Sequence, residues 1–257
     1  QMWTFVHLVA AAAATSKLLG LAATRTTPAL GIALAQPPFA LQPGFMTPTS
    51  KLLAAATPTA IGIRAAYFAR SGMTGEPSLV EDPRGFWARF SYLPLPTMMD
   101  DLGELWTSES LALKTFPGCH YFQTALSAIE HILAREPVDP DGIASVHIAT
   151  TKLAVEAERF ASEYARLAGT VTSVNVNFDL ATSAAILLVA GRLTGAEVEP
   201  DWLARHSLAI TTLRRRIDVV HDPALTLRTI GGMWSVGSGR AALRQVGITD
   251  VLELRRR

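Results

Sequence analysis

The side chains of this 257-residue chain best suited to chemistry near neutral pH are one cysteine and six histidines. Cys119 is followed at once by His120, opening the run His-Tyr-Phe-Gln. A cysteine nucleophile acts as its thiolate, so it needs a base and an electropositive pocket around it. The alternative for Cys119 is a small, inert packing residue. His131, His147, His206 and His221 fall in segments that read as exposed and are given no role. Neither His-Tyr-Phe-Gln nor His-Ile-Leu-Ala has the spacing of metal ligands, and a single cysteine supplies no disulfide framework, all-cysteine zinc site or iron–sulfur site. No metal site is therefore expected, and a reducing, cytoplasmic setting fits the cysteine usage. Glycine-rich dinucleotide fingerprints, P-loops and Gly-x-Ser-x-Gly elbows are missing from the sequence. Gly237-Ser-Gly-Arg240 could form a phosphate turn, but it reads better as a strand–turn–strand connection.

Charge excludes other partners. With 23 basic and 22 acidic side chains the formal charge is +1, and the two arginine triplets, Arg214–Arg216 and Arg255–Arg257, are short. Nucleic-acid binding would need a basic surface, so none is expected. Apolar residues make up 49% and charged residues 18% of the chain, which asks for a large buried fraction or a face covered by a subunit. The apolar stretch Met2–Ala14 has no basic residue before it and is too short and alanine-rich for a membrane span, so it reads as a buried helix.

The elements that must carry these residues fall into two sets. Val6–Leu19 reads as a helix closed by Gly20, and Thr27-Pro28 and Thr57-Pro58 read as the starts of two further helices, each with proline in its first turn. Pro37, Pro38, Pro43 and Pro48 make Gln36–Ser50 a loop crossing the surface or lining a cleft. After an irregular aromatic stretch, helices are expected from Thr124 to Arg135 and from Asp179 to Val189, the latter ended by Gly191. Ile143–Thr150 alternates as a half-buried strand; Arg215–Val220, Ser235–Leu243 and Val251–Arg255 are further strands, with His221-Asp222-Pro223 as a turn. The fold class is α+β: an all-helical domain over 1–106 followed by a smaller α+β domain over 107–257.

Four stretches in order resemble one family. They are Ala13–Leu21 with Ala29–Ala33; Thr49-Ser-Lys-Leu-Leu53 with Gly62–Ala66; Ser71-Gly-Met-Thr-Gly75 with Glu81 and Gly85-Phe86; and Leu113-Lys-Thr-Phe-Pro117. Weaker echoes follow at Asp141–Ala144, Ala185–Gly191 and Val219–Pro223. Together they resemble the MmgE/PrpD family, that of 2-methylcitrate dehydratase, cis-aconitate decarboxylase and iminodisuccinate epimerase. The resemblance implies a helical domain followed by an α+β lid, an active site in the cleft between them, and a homodimer. It also implies that the front of the helical domain lies before Gln1, so the chain would be a fragment or would be completed by another polypeptide.

The resemblance further implies a cofactor-independent lyase or isomerase for a small carboxylate. Lys51 and Lys114 match the family's active-site lysines; a lysine holds a carboxylate as a compact charge and can move a proton once desolvation lowers its pKa. An ordinary solvated lysine is the alternative at both positions. Three family histidines correspond instead to Ala54, Gln123 and, by spacing, Gln1. Glutamine can bind a carboxylate or hydroxyl but cannot carry a proton near neutral pH. His120, in the Lys114 loop, and His7 are the candidates to replace the lost proton carriers, with His120 favoured. A satisfied structural histidine is the alternative for each. Gln123, Gln1 and His7 are the substrate-binding candidates. These departures imply a repurposed specificity, such as a tailoring step in secondary metabolism. The rival reading is a non-catalytic or half-site subunit that completes a partner of the same fold.

Overall fold

In a computed structural model the described residues are 3–41, 44–45, 48–91, 102–104, 106, 108, 111–168 and 171–235. They fall into two compact units, described separately below.

The first unit is a helical layer. Helix α1 (Trp3–Leu18) buries Thr4, Phe5, Leu8, Ala12 and Ser16, one face at helical spacing. Helix α2 (Ala23–Ala35) buries Ala29, Gly31, Ala33 and Leu34. Helix α3 (Leu53–Arg70), entered by the 3-10 turn Thr49–Leu52, buries Pro58, Gly62, Ala65, Ala66 and Ala69. With that turn, α3 is long and apolar enough to cross a membrane by length and composition; here its small-residue face packs against α1 and α2. Small residues let the helices close up. A Cβ on Gly62 would lie 2.4 Å from the carbonyl oxygen of Leu8, and one on Gly75 would lie 2.2 Å from that of Pro28. Gly75 is thus a packing glycine, set against Gly31 of α2. Phe86 and Phe90 of the short helix α4 (Phe86–Phe90) close on Phe5, with ring centroids 4.9 and 4.7 Å away.

Two of the expected helix starts are corrected. Pro28 and Pro58 lie more than a turn inside α2 and α3, not in their first turns. A proline costs the helix one N–H bond, to Thr24 or Ala54 in these cases. The Pro58 ring is fully buried, so packing offsets that loss.

The second unit surrounds one apolar helix. Helix α5 (Gln123–Leu133) follows the 3-10 turn His120–Phe122. Strand β1 (Val146–Thr150) leads into helix α6 (Lys152–Ala168). The 3-10 turn Asn175–Phe178 leads into helix α7 (Leu180–Ala190), buried on every side over Leu180–Leu188. Asp179 caps α7, its Oδ1 accepting from Thr182 N–H at 2.7 Å, and Gly191 ends it at φ +69°. Helix α8 (Pro200–Arg214) precedes strand β2 (Ile217–His221), which pairs in parallel with β1 from Val146↔Ile217 to Thr150↔His221. A parallel pair needs a long crossover, and α6 to α8 supply it.

The α+β class, with a helical N-terminal part, is what the structure has. Helices α6 and α8 were not expected. Pro223, read as part of a turn, instead opens helix α9 (Pro223–Ser235), a first-turn position where its lacking N–H costs nothing. Thr107, the expected boundary, and the expected strands Ser235–Leu243 (beyond Ser235) and Val251–Arg255 lie outside the described residues.

Candidate functional site

In the second unit the segment from Lys114 to Gln123 is a built loop. The Gln123 side chain lies at its centre: Oε1 accepts from the backbone N–H groups of Thr115 and Phe116, each at 3.0 Å. Its Nε2 donates to the carbonyls of Phe116 at 3.1 Å and Cys119 at 3.4 Å. Phe116 and Phe122 are buried and anchor the two limbs of the loop in the core. Gly118 turns the chain at φ +119° and rests on the backbone of Asn177, leaving 3.3 Å between a Cβ there and the Asn177 carbonyl oxygen. The exposed Lys114 ammonium donates to the Gly118 carbonyl at 2.9 Å. His120 stands exposed at the head of the 3-10 turn, and Cys119 is half-buried beside it. The loop therefore presents one cation and one imidazole on a fixed backbone. The amide of Gln123, a substrate-binding candidate from sequence, is occupied with the loop itself.

Lys51 belongs to the first unit, in the 3-10 turn that opens α3. It is half-buried, and its ammonium lies 5.5 Å from the centroid of the Phe45 ring, within reach of a cation–π contact. The same unit holds a cavity of about 250 Å³ lined by Phe39, Leu53, Ala54 and Pro58, with Thr4 and Ser50 also in its lining and Lys51 not part of it. Ala54, where the resembled motif has histidine, is part of this wall. His7 is exposed on α1, and Gln1 lies outside the described residues.

A third constellation escaped the sequence reading. Glu158 of α6 is buried, and its carboxylate accepts the N–H of Leu180 and, at 3.4 Å, that of Ala181, at the head of α7. Arg214 of α8 reaches the same place: it donates to Asp179 Oδ2 at 3.1 and 3.2 Å and lies 3.8 Å from Glu158 Oε1. Its Nε also donates to Thr182 Oγ1 at 2.9 Å. Burial, and then the Asp179 charge, push the Glu158 carboxyl up to about 8, against the pull of the two amides and Arg214. The sequence signal was a glutamate at the centre of an amphipathic helix's inner face.

Among the described residues no group of three or more His, Cys, Asp or Glu side chains is placed to hold a metal ion. Lys114 thus stands on a loop pinned by Gln123 in one unit, and Lys51 in the 3-10 turn before α3, adjacent in sequence to Ser50 of the cavity lining, in the other.

No curated protein matches the chain. Two family models do: the MmgE/PrpD N-terminal domain over residues 3–96 and the MmgE/PrpD C-terminal domain over residues 116–250. The first spans the helical layer with Lys51, and the second spans all but the start of the Lys114 loop and the whole β1–β2 pair. With both models matched in order over most of its length, the chain belongs to the MmgE/PrpD family.

Proposed function

We propose that the chain is a lyase or isomerase of the dehydratase type that acts on a small carboxylate without a cofactor. Family membership suggests the dehydratase-like lyase class. The observation that supports a working site is the Lys114 loop, whose backbone Gln123 fixes at Thr115, Phe116 and Cys119. A loop held this way lowers the cost of ordering when an anion binds. Lys51 and Lys114 hold the carboxylates, and His120, the imidazole on the loop, is the proton carrier. Ala54, part of an apolar wall, cannot replace the histidine of the resembled motif. This supports a specificity that differs from a compact tricarboxylate, as in a tailoring step. The same reading puts the enzyme in a reducing, cytoplasmic setting.

The test is to incubate the purified chain with citrate-like acids and follow alkene absorbance, with Lys51→Ala and Lys114→Ala alongside. Each substitution should lower turnover by about a hundredfold. Full turnover in both variants would refute the lysine assignment.

An observation on the first unit favours a second reading. Trp3 and Val6 on α1, and Leu53, Ile63 and Tyr67 on α3, are exposed although large and apolar. A homodimer, or a partner chain of the same fold that the present chain completes as a half-site subunit, would cover them. A monodisperse single chain with full turnover would exclude that half-site role.

A further inference from the structure

We propose that Glu158 is a positioning residue for the Lys114–Gln123 loop, which it orders through a proton-sensitive hold on the head of helix α7. The path is short and made of named contacts. Gly118 rests on Asn177, which sits in the 3-10 turn Asn175–Phe178. That turn runs straight into Asp179 and the amides of Leu180 and Ala181, which Glu158 receives from α6. Helix α6 also packs against the 3-10 turn His120–Phe122, at the other end of the loop. Glu158 thus fixes the ground beneath one limb while its own helix supports the other.

The hold responds to protons because one guanidinium faces two carboxylates in a buried place. Helix α7 brings Asp179, α8 brings Arg214, and α6 brings Ser162, whose Oγ accepts from Arg214 at 3.3 Å. The other titratable or charged groups on elements packed against α6 are His120, Tyr121, Asp218, His221 and Arg228, and none of them bonds to Glu158. Asp218 pairs with His147, and His221 meets the Thr226 hydroxyl. With Glu158 protonated, the cluster balances: one cation, one anion and a neutral acid. With Glu158 ionised, it holds a surplus negative charge out of water, which only the α7 amides and a shared Arg214 offset. The carboxyl's raised value, about 8, puts that change just above neutrality.

The lone cysteine of the chain provides the probe, since half-buried Cys119 lies in the loop itself. The rate of its modification by N-ethylmaleimide is measured from pH 6 to pH 9 in the full chain and in Glu158→Gln, which mimics the neutral acid. Taking the ratio of the two at each pH cancels the common thiolate chemistry. The ratio of wild type to variant should stay near unity at pH 6 and rise several-fold by pH 9. A ratio that does not change with pH overturns the proposal. Should the variant not fold, hydrogen exchange of the wild type decides. Loss of protection above pH 8 at the Thr115 and Phe116 amides, with the β1–β2 amides still protected, supports the proposal; equal loss at both, or none at the loop, overturns it. Both measurements read loop order and not turnover, so they stand or fall apart from the anion-binding role proposed for Lys114.

Discussion

Gln123 and Phe116 are joined in both directions: the glutamine Oε1 accepts from the phenylalanine N–H at 3.0 Å, and the glutamine Nε2 donates to its carbonyl at 3.1 Å. One side-chain amide thereby does for the loop what a strand partner does for an edge. It satisfies a donor and an acceptor of the same residue and fixes the side on which that residue's ring enters the core.

Replacing Gln123 should loosen the loop without unfolding the unit. Gln123→Ala leaves the Thr115 and Phe116 N–H groups and the Phe116 carbonyl to find water. A net loss on the order of 2 kcal/mol is expected for several neutral hydrogen bonds at a half-buried site. Gln123→Glu keeps the acceptor for the two N–H groups but turns a carboxylate oxygen toward the Phe116 and Cys119 carbonyls, so it should not restore the wild type. Urea unfolding is the measurement, with the midpoint lowered in both variants and the slope unchanged. A wild-type midpoint in Gln123→Ala would show the clamp to be idle.

The helical layer should be intolerant of one methyl group at the α1–α3 crossing. A Cβ on Gly62 would meet backbone, the Leu8 carbonyl oxygen at 2.4 Å and the Ala12 nitrogen at 2.9 Å, and backbone cannot rotate away. Gly62→Ala should therefore cost about 1–3 kcal/mol or more by forcing the helices apart. Gly191→Ala is the contrast. Nothing lies within 4 Å of its Cβ, and only the φ of +69° is strained, so about 1 kcal/mol is expected. Thermal midpoints should fall further for Gly62→Ala than for Gly191→Ala, and the reverse order would contradict the packing described.

What could be read from the sequence follows a physical divide. Helix α7 was legible because its signals are local: a capping aspartate, an apolar run and a left-handed glycine at the end. Strand β1 was legible from its alternation. Helix α6 has a strong amphipathic period and was passed over all the same; what no periodicity could show is that its inner face seats a carboxylate, Glu158, one turn from Ala154. The partners of Glu158 begin 22 residues further on, and their meaning exists only once α7 and α8 are packed. Pro28 and Pro58 misled for the opposite reason: a strong local signal was overridden by the helical turns before each proline and, at Pro58, by burial of the ring. At the candidate site, Lys51 and Lys114 were singled out through motif resemblance. The work of Gln123 was hidden, since every atom it bonds within the loop, apart from the Thr115 hydroxyl, is backbone and carries no residue-type signature.

Two buried glutamates of the second unit should titrate in opposite senses and give its stability two limbs. Burial acts to raise the Glu197 carboxyl. Hydrogen bonds from the Thr194 hydroxyl and N–H, at 2.6 and 2.8 Å, and from Arg192 at 2.7 Å outweigh it and hold the group at about 2. A depressed value means stability that is present above the ordinary carboxyl range near 4.5 and is lost as pH falls toward 2. Glu158, raised by burial to about 8, works the other way: stability is full below 4.5 and is lost as pH climbs from there through 8. The slope of each limb is bounded by one proton, at most about 1.4 kcal/mol per pH unit. The urea midpoint measured from pH 2 to pH 9 should thus fall at both ends. Glu158→Gln should flatten the alkaline limb alone, because its amide keeps the acceptor for Leu180 and has no proton to lose. Glu197→Gln should flatten the acid limb while lowering the midpoint at neutral pH, since the charge-assisted bond from Arg192 is gone. If Glu158→Gln keeps the alkaline fall of the wild type, the proton released there comes from another group.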